Sequence, residues 1–373
     1  MENTIGFDIM KLTKDTISNQ PSDLLIKNLV NIPKVHYPGT THISFSVPLN
    51  STSEFQSHGT TPKSRTVETL IDFLLDVIHA TGFSATIRSA DMGIEKEYNF
   101  PLTPNTPQYW IKRATDFLTL HKSHLKNGDI CAVYPEADGE GFMDGFAVTN
   151  GGIDYHKDYN ELWAGLPVAV RNWSTANGIS VVPYTTVNGT SIDNGSDKFL
   201  YESSIKAIGA MVIDWYGDGG APTDEAGYIA SYKKSLDRYL AVYNGAYKLF
   251  IQEWGDTRPA NIVAGNPGLT AAMADQVFFP YMRDGKLIGI NFWNLFNTPQ
   301  EGIVDINGDT VTLNAKGQAL SVVFKKWFST VPTPIPEPEQ KIKLGPRVKK
   351  GTVWYRDLEI NGVVGDKLRS YNK

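Results

Sequence analysis

The sequence predicts a (β/α)8 barrel, an α/β fold, and three observations carry that expectation. Short β-rich runs alternate with segments of helical spacing over about 330 residues. The β-rich runs number eight. No Gly-rich phosphate loop follows the first of them, where "FDIMKLTKD" stands. A doubly wound open sheet, the runner-up, would normally carry one.

The strand runs are "TIGFDIM" (4–10), "HISFSVPL" (42–49), "FSATIRSA" (83–90) and "DICAVYPE" (129–136). Then come "ISVVPYTTV" (179–187), "AMVIDWYG" (210–217), "LFIQEWGD" (249–256) and "LIGINFWNLF" (287–296). β-branched and aromatic residues dominate these runs, as half-buried pleated surfaces favour. Between them, "PSDLLIKNLVNI" opens on a Pro-Ser-Asp start signal, and "TVETLIDFLLDVIHATG" runs from a Thr cap to a terminal Gly. "PQYWIKRATDFLTLHKSHLKNG", "ELWAGLPVAVRNWSTANG", "YIASYKKSLDRYLAVYNG", "LTAAMADQVFFPYMRDG" and "AKGQALSVVFKKWFS" supply further helices. Between strands 5 and 6 only a short, weak helix is read, around 197–207.

The expected organisation is a barrel over 1–330, a Pro-rich linker over 331–341, "VPTPIPEPEQK", and a short basic β-rich extension over 342–373. The tail from 341 holds 9 Lys and Arg against 3 Asp and Glu, and its hairpin turns at Asn361-Gly362. It is too short to build its own core.

Totals exclude several classes. The net charge of -5 argues against nucleic-acid binding, which wants a basic domain. No apolar run approaches the roughly 18 residues of a membrane span. The single cysteine, Cys131 in "ICAVY", reads as a small buried hydrophobe and leaves no intrachain disulfide or Cys-based metal site. No Gly-x-Ser-x-Gly elbow or His-Glu-x-x-His pattern occurs. "MENTIGFDIM" lacks the basic start and apolar core of a signal peptide.

A barrel of this kind builds its site at the carboxyl ends of its strands. Strand 1 delivers Asp8, strand 3 Arg88 and Asp91, and strand 4 Glu136 followed by Asp138 and Glu140. Strand 5 delivers Tyr184, strand 6 Asp214 and Tyr216, strand 7 Glu253, and strand 8 Asn291 and Trp293. By alternation Glu136 shares a face with Tyr134 and Ala132, and Glu253 with Ile251 and Leu249. Two carboxylates facing each other across the mouth, with aromatic neighbours, suit glycoside hydrolysis. One gives a proton to the leaving oxygen and the other attacks the anomeric carbon or activates water. Trp254 and Trp293 would supply apolar walls, and Tyr216 a hydrogen bond to Glu253.

Other readings stand beside these. Asp214 is a substrate contact or a structural acid paired with a base such as Arg88, and Asp8 is equally a structural acid or a contact at the mouth. Asp138, Glu140 and Asp144 in "EADGEGFMDG" are solvated or offer oxygens to calcium, although their spacing fits no calcium loop. His121 and His124 in "HKSHLK" read as solvated, and Trp163 and Trp173 as helix packing. "SADMGIEKEYNFPLTP" after strand 3 is long enough to form part of a cleft.

At Glu136, Glu253, Tyr216 and Trp293 the chain resembles the clan A retaining glycoside hydrolases, the superfamily of the family 5 cellulases and mannanases. The resemblance implies acid/base catalysis by Glu136 at strand 4 and nucleophilic attack by Glu253 at strand 7. Tyr216 follows strand 6 and Trp293 strand 8, as in the clan. Arg88 would serve as the arginine near the nucleophile, from strand 3 rather than strand 2. The clan usually places Asn before the acid/base residue, whereas Pro135 stands here. That proline has no side-chain donor for a sugar 2-hydroxyl, and Glu140 is the reserve acid/base. The resemblance implies a carbohydrate substrate, β-linked, with no metal or organic cofactor, and export of the enzyme. A non-catalytic carbohydrate-binding barrel is the alternative that Pro135 favours. An aldolase- or phosphate-handling barrel fits "WGDTRP" and "WNLFNT" poorly.

Overall fold

The computed structural model describes residues 3–12, 16, 19–48, 65–89, 106–133, 155–188, 202–217, 224–256, 268–293, 295, 302–329, 342–344, 348–350, 353–360 and 363–370. The chain divides into two compact units, Met1–Phe328 and Ser329–Lys373.

The first unit is a (β/α)8 barrel. Its strands are β1 (Thr4–Lys11), β2 (His42–Val47), β3 (Ser84–Ser89), β4 (Ile130–Val133) and β5, which is split into Val182–Tyr184 and Val187–Asn188. The ring is completed by β6 (Met211–Asp214), β7 (Leu249–Trp254) and β8 (Leu287–Phe292). Pairing is parallel throughout, in the order β5-β4-β3-β2-β1-β8-β7-β6-β5. The sheet closes through the split strand, because Val182–Tyr184 pairs with β4 and Val187–Asn188 pairs with β6.

Each strand is followed by a helix: α1 (Asp23–His36), α2 (Val67–Thr81), α3 (Pro107–Leu120), α4 (Tyr155–Asn177), α5 (Glu202–Ile208) and α6 (Glu225–Ala241). The seventh, α7, runs through Leu269–Met273, a π turn at Ala274–Phe278 and Phe279–Arg283, and α8 is Ala315–Phe328. The cap signals act as the sequence implies. Ser22 Oγ accepts from Leu25 N at 3.0 Å and Thr66 Oγ1 from Thr69 N at 3.1 Å. Gly82 ends α2 at φ 96°, a left-handed conformation in which a side chain would be strained. α1 continues through Pro33 to His36, beyond the Ile32 where its periodic pattern stops.

Two apolar layers hold the barrel. An outer one packs strand residues such as Phe7, Phe45, Ile251 and Phe292 against the helices. A smaller inner one, made of Ile130, Ala132, Tyr184, Val212, Phe250 and Ile288, fills the barrel itself. In the inner layer the Tyr184 and Phe250 rings lie 4.7 Å apart, and burial pushes the Tyr184 phenol up. Gly289 makes room for this plug, since a Cβ there would overlap the Phe250 ring and lie 2.9 Å from the Thr4 carbonyl oxygen. Cys131 is buried in the outer layer.

Two features depart from the sequence reading. An antiparallel hairpin of β9 (Val304–Asn307) and β10 (Thr310–Leu313) stands between β8 and α8. His121 and His124, expected in solvent, tie the turn after α3 to α2. His121 is fully buried with Nδ1 2.7 Å from Asp72, and His124 Nδ1 lies 2.9 Å from Asp76.

The second unit carries β11 (Ile342–Leu344), β12 (Val348–Lys350), β13 (Val353–Ile360) and β14 (Val363–Ser370). β13 pairs antiparallel with each of the other three, and Ile360 pairs with Val363 across the turn.

Candidate active site

Glu253 reaches the barrel mouth by a β-bulge. Along β6 and β7 the register runs Met211 with Leu249, Val212 with Phe250 and Ile213 with Ile251, then skips to Asp214 with Glu253. Gln252 is the extra residue. On the β8 side the register jumps from Ile251–Ile290 to Trp254–Phe292, so two residues of β7 oppose Asn291. Such a bulge re-aims a side chain at a barrel rim. The alternation expected from sequence is therefore wrong at Glu253. Leu249 and Ile251 pack outward against the helices and Phe250 points into the barrel. Without the bulge Glu253 would follow Ile251 outward.

Both oxygens of the Glu253 carboxylate are held. Oε2 lies 2.5 Å from Arg88 Nη2, and Oε1 accepts a hydrogen bond from the Tyr216 hydroxyl. Burial, followed by the charge of Glu253, pushes the Tyr216 phenol well above its ordinary value, so it remains a donor. The same Arg88 Nη2 lies 3.3 Å from Asp214 Oδ2, which also accepts from Thr186 Oγ1 at 3.4 Å. Arg88 and Asp214 are almost fully buried, so this is an ion triad inside the mouth rather than a surface pair. Asp214 thus binds the base that the sequence reading named for it.

Asp8 lies beside the triad. It is fully buried and accepts from Ser44 Oγ at 3.2 Å through Oδ2. Burial pushes its carboxyl up to about 7; Arg88 opposes this, the Glu253 charge adds to it, and Lys11 and the Ser44 bond oppose it. Trp293 closes one side of the mouth. The Arg88 guanidinium carbon and Lys11 Nζ each lie 4.6 Å from its ring centroid, distances typical of cation–π contacts. Asn291 is buried beside β1 and opposite the bulge, and a Cβ on Gly6 would lie 2.5 Å from its Oδ1, so the amide would have to shift. Among the described residues, the amide atoms of Asn291 and Gln252 have no hydrogen-bond partner. Buried groups of that kind call for a ligand or ordered water.

No family model matches the sequence, and no curated protein matches it either. Solved structures do match the fold. A GH5_18 protein from Bifidobacterium longum subsp. longum, in complex with Manb1-4GlcNAc, superimposes with a TM-score of 0.57 at 10% identity, over 88% of this chain and 79% of that one. The AHE enzyme from Alicyclobacillus herbarius gives 0.55 at 12% identity over 87% and 98% of the two chains. A beta-glycosidase gives 0.53 at 11% identity over 84% and 87%. The likeness is one of fold. It is the (β/α)8 fold that the resemblance to clan A implies.

Within that barrel, Asp8, Arg88, Asp214, Tyr216, Glu253, Asn291 and Trp293 all stand at the carboxyl ends of their strands. Trp254 is fully buried in the outer layer, with the Phe278 ring 5.0 Å and the Phe292 ring 6.0 Å from its own, and it lines a small cavity together with Trp293 and Asp256. Tyr184 belongs to the inner plug. Glu136 and its reserve Glu140 lie outside the described residues, as do Pro135, Asp91, Asp138, Asp144 and the segment after strand 3. Among the described residues no group of His, Cys, Asp and Glu could hold a metal ion, and no helix is long and apolar enough to cross a membrane.

Sequence reasoning missed Lys11, Ser44, Thr186 and Gln252. Lys11 was legible as a polar residue at the end of β1, and Ser44 as a polar residue within β2. Gln252 was hidden by the bulge, which no residue in "LFIQEWGD" announces.

Proposed function

We propose that the protein is a retaining glycoside hydrolase acting on a β-linked poly- or oligosaccharide, with Glu253 as nucleophile and Glu136 as acid/base. The observation that carries this reading is the clamp on Glu253: a guanidinium on one carboxylate oxygen, a phenol on the other, and Trp293 alongside. In the first step Glu253 attacks the anomeric carbon while Glu136 protonates the leaving oxygen, giving a covalent glycosyl-enzyme. In the second, Glu136 takes a proton from water, which displaces Glu253 with net retention. As the ester forms, Glu253 loses its charge and the Tyr216 and Arg88 contacts weaken. They return as the carboxylate leaves, which favours turnover over a trapped ester. Buried amide groups on Asn291 and Gln252 supply donors and acceptors for sugar hydroxyls. The glycosidase among the structures that share the fold supports the same reading.

The test is turnover of a glycan panel by the parent and by Glu253→Ala, with azide added to the variant. Cleavage by the parent, its loss in the variant and an α-configured glycosyl azide, inverted from the β-linked substrate because azide takes the place of the missing carboxylate, would establish a retaining enzyme with this nucleophile. Binding without cleavage, unchanged in Glu253→Gln, would support the carbohydrate-binding alternative that Pro135 favours.

A further inference from the structure

Among the described residues, three carboxyls and two cations meet at the barrel mouth, and of the three only Asp8 forms no ion pair. Arg88 Nη2 touches Glu253 and Asp214, while Lys11 rests on Trp293. Asp8 is fully buried yet has only a serine hydroxyl as partner, and its Oδ1 has none among the described residues. β2 brings it only the hydroxyls of Ser44 and Ser46, and β8 the neutral amide of Asn291. The charged groups acting on it are Arg88 from β3, Glu253 from β7 and Lys11 from its own strand. A buried carboxylate without a paired cation is costly. Among the described residues, with Asp8 neutral, the charges of Asp214 and Glu253 match those of Arg88 and Lys11. With Asp8 ionised, the cluster carries an excess negative charge.

We infer that Asp8 is a positioning residue for Glu253, acting as the neutral member of this cluster and deciding how the Arg88 guanidinium is shared. In the resting site the neutral acid leaves Arg88 committed to Glu253 and Asp214. When Asp8 loses its proton to solvent, it competes for the same guanidinium and loosens the clamp on Glu253. The coupling runs both ways: removing the charge of Glu253, as esterification would, makes Asp8 a stronger acid. The titration of Asp8 reports the cluster directly, whereas its catalytic consequence rests on the glycosidase reading.

The experiment is a carboxyl-carbon NMR titration of the full chain labelled at its aspartates, with Asp8→Asn identifying the resonance. The parent should show one aspartate titrating near neutral pH and missing from Asp8→Asn. In Glu253→Gln that midpoint should move down, and in the milder Lys11→Met it should move up, so that one variant still reports if the other does not fold. An Asp8 midpoint in the ordinary range near 4, or one that ignores both substitutions, would overturn the inference. On any glycan the parent cleaves, kcat should fall above neutral pH in the parent and lose that fall in Asp8→Asn, with KM nearly constant. A structural role alone would leave the shape of the profile unchanged. A parent that cleaves nothing but titrates as described would sink the glycosidase reading and leave the coupling intact.

Discussion

Replacing Arg88 with methionine tests whether the ion triad organises the barrel mouth. The substitution keeps much of the side-chain volume and removes the guanidinium that lies 2.5 Å from Glu253 and 3.3 Å from Asp214. Two buried carboxylates then lose their cation, and Lys11 alone remains among the basic groups that act on Asp8. Breaking a buried pair from one side costs about 3–5 kcal/mol, because the carboxylates lose the opposite charge and keep only hydrogen bonds such as those from Tyr216 and Thr186. For a unit of 328 residues the unfolding entropy is about 0.7 kcal/mol per degree, so the melting temperature should drop by roughly 4–7 °C.

The deficit should also depend on pH, with a sign that can be worked out. Arg88 lowers the Asp8 carboxyl, so its loss moves the folded-state value of Asp8 further above the unfolded value of 3.8. The folded variant then binds more protons than the unfolded chain over a wider window, and its stability declines more steeply as pH rises from about 4 past 7. Thermal unfolding of parent and variant at pH 5 and pH 8 measures this. A drop below about 1 °C at pH 8, or equal drops at both pH values, would refute the triad as a source of stability.

Tyr216→Phe removes one hydrogen bond to a charged carboxylate, worth about 1.5–3 kcal/mol, and should lower kcat/KM on a cleaved glycan by roughly 10- to 150-fold with the fold retained. Trp254→Ala and Trp293→Ala should separate: the first costs about 3–5 kcal/mol in a denaturant titration, while the second mainly raises KM. Asp8→Asn should raise the melting temperature at pH 8 relative to the parent and much less at pH 4. The native Asp8 carboxyl, held up to about 7 against 3.8 unfolded, makes folding less favourable as pH climbs between those values. Gly289→Ala should destabilise by about 1–3 kcal/mol in the same denaturant assay, because its Cβ collides with the Phe250 plug.

The barrel was legible because its signals are local. β-rich runs, the Thr66 cap and Gly82 each act within a few residues, and each appears where the sequence implies. The hairpin at β9 and β10 was legible but missed: "VDINGDTVTL" alternates apolar and polar residues around Asn307-Gly308, although each strand has only four residues and is mostly exposed. Trp254 sits deeper than its neighbour Glu253 suggests. A large aromatic next to a mouth carboxylate reads as a cleft wall, yet its direction depends on which residue of β7 is skipped in the pairing. His121 was misread in the same way, because its partner Asp72 sits on another helix.

That skipped residue also explains why the candidate site could be located before its geometry could be described. Residue type and strand order place Glu253, Arg88, Asp214, Tyr216 and Trp293 at one end of the barrel, and closure alone brings them together. Their mutual aim needs the bulge. A regular β7 would turn Glu253 outward with Ile251 and leave Arg88 without its 2.5 Å partner. In the bulged register the Glu253 carboxylate meets Arg88 and Tyr216. The bulge and the clamp therefore occur together, and neither is visible from the strand pattern alone.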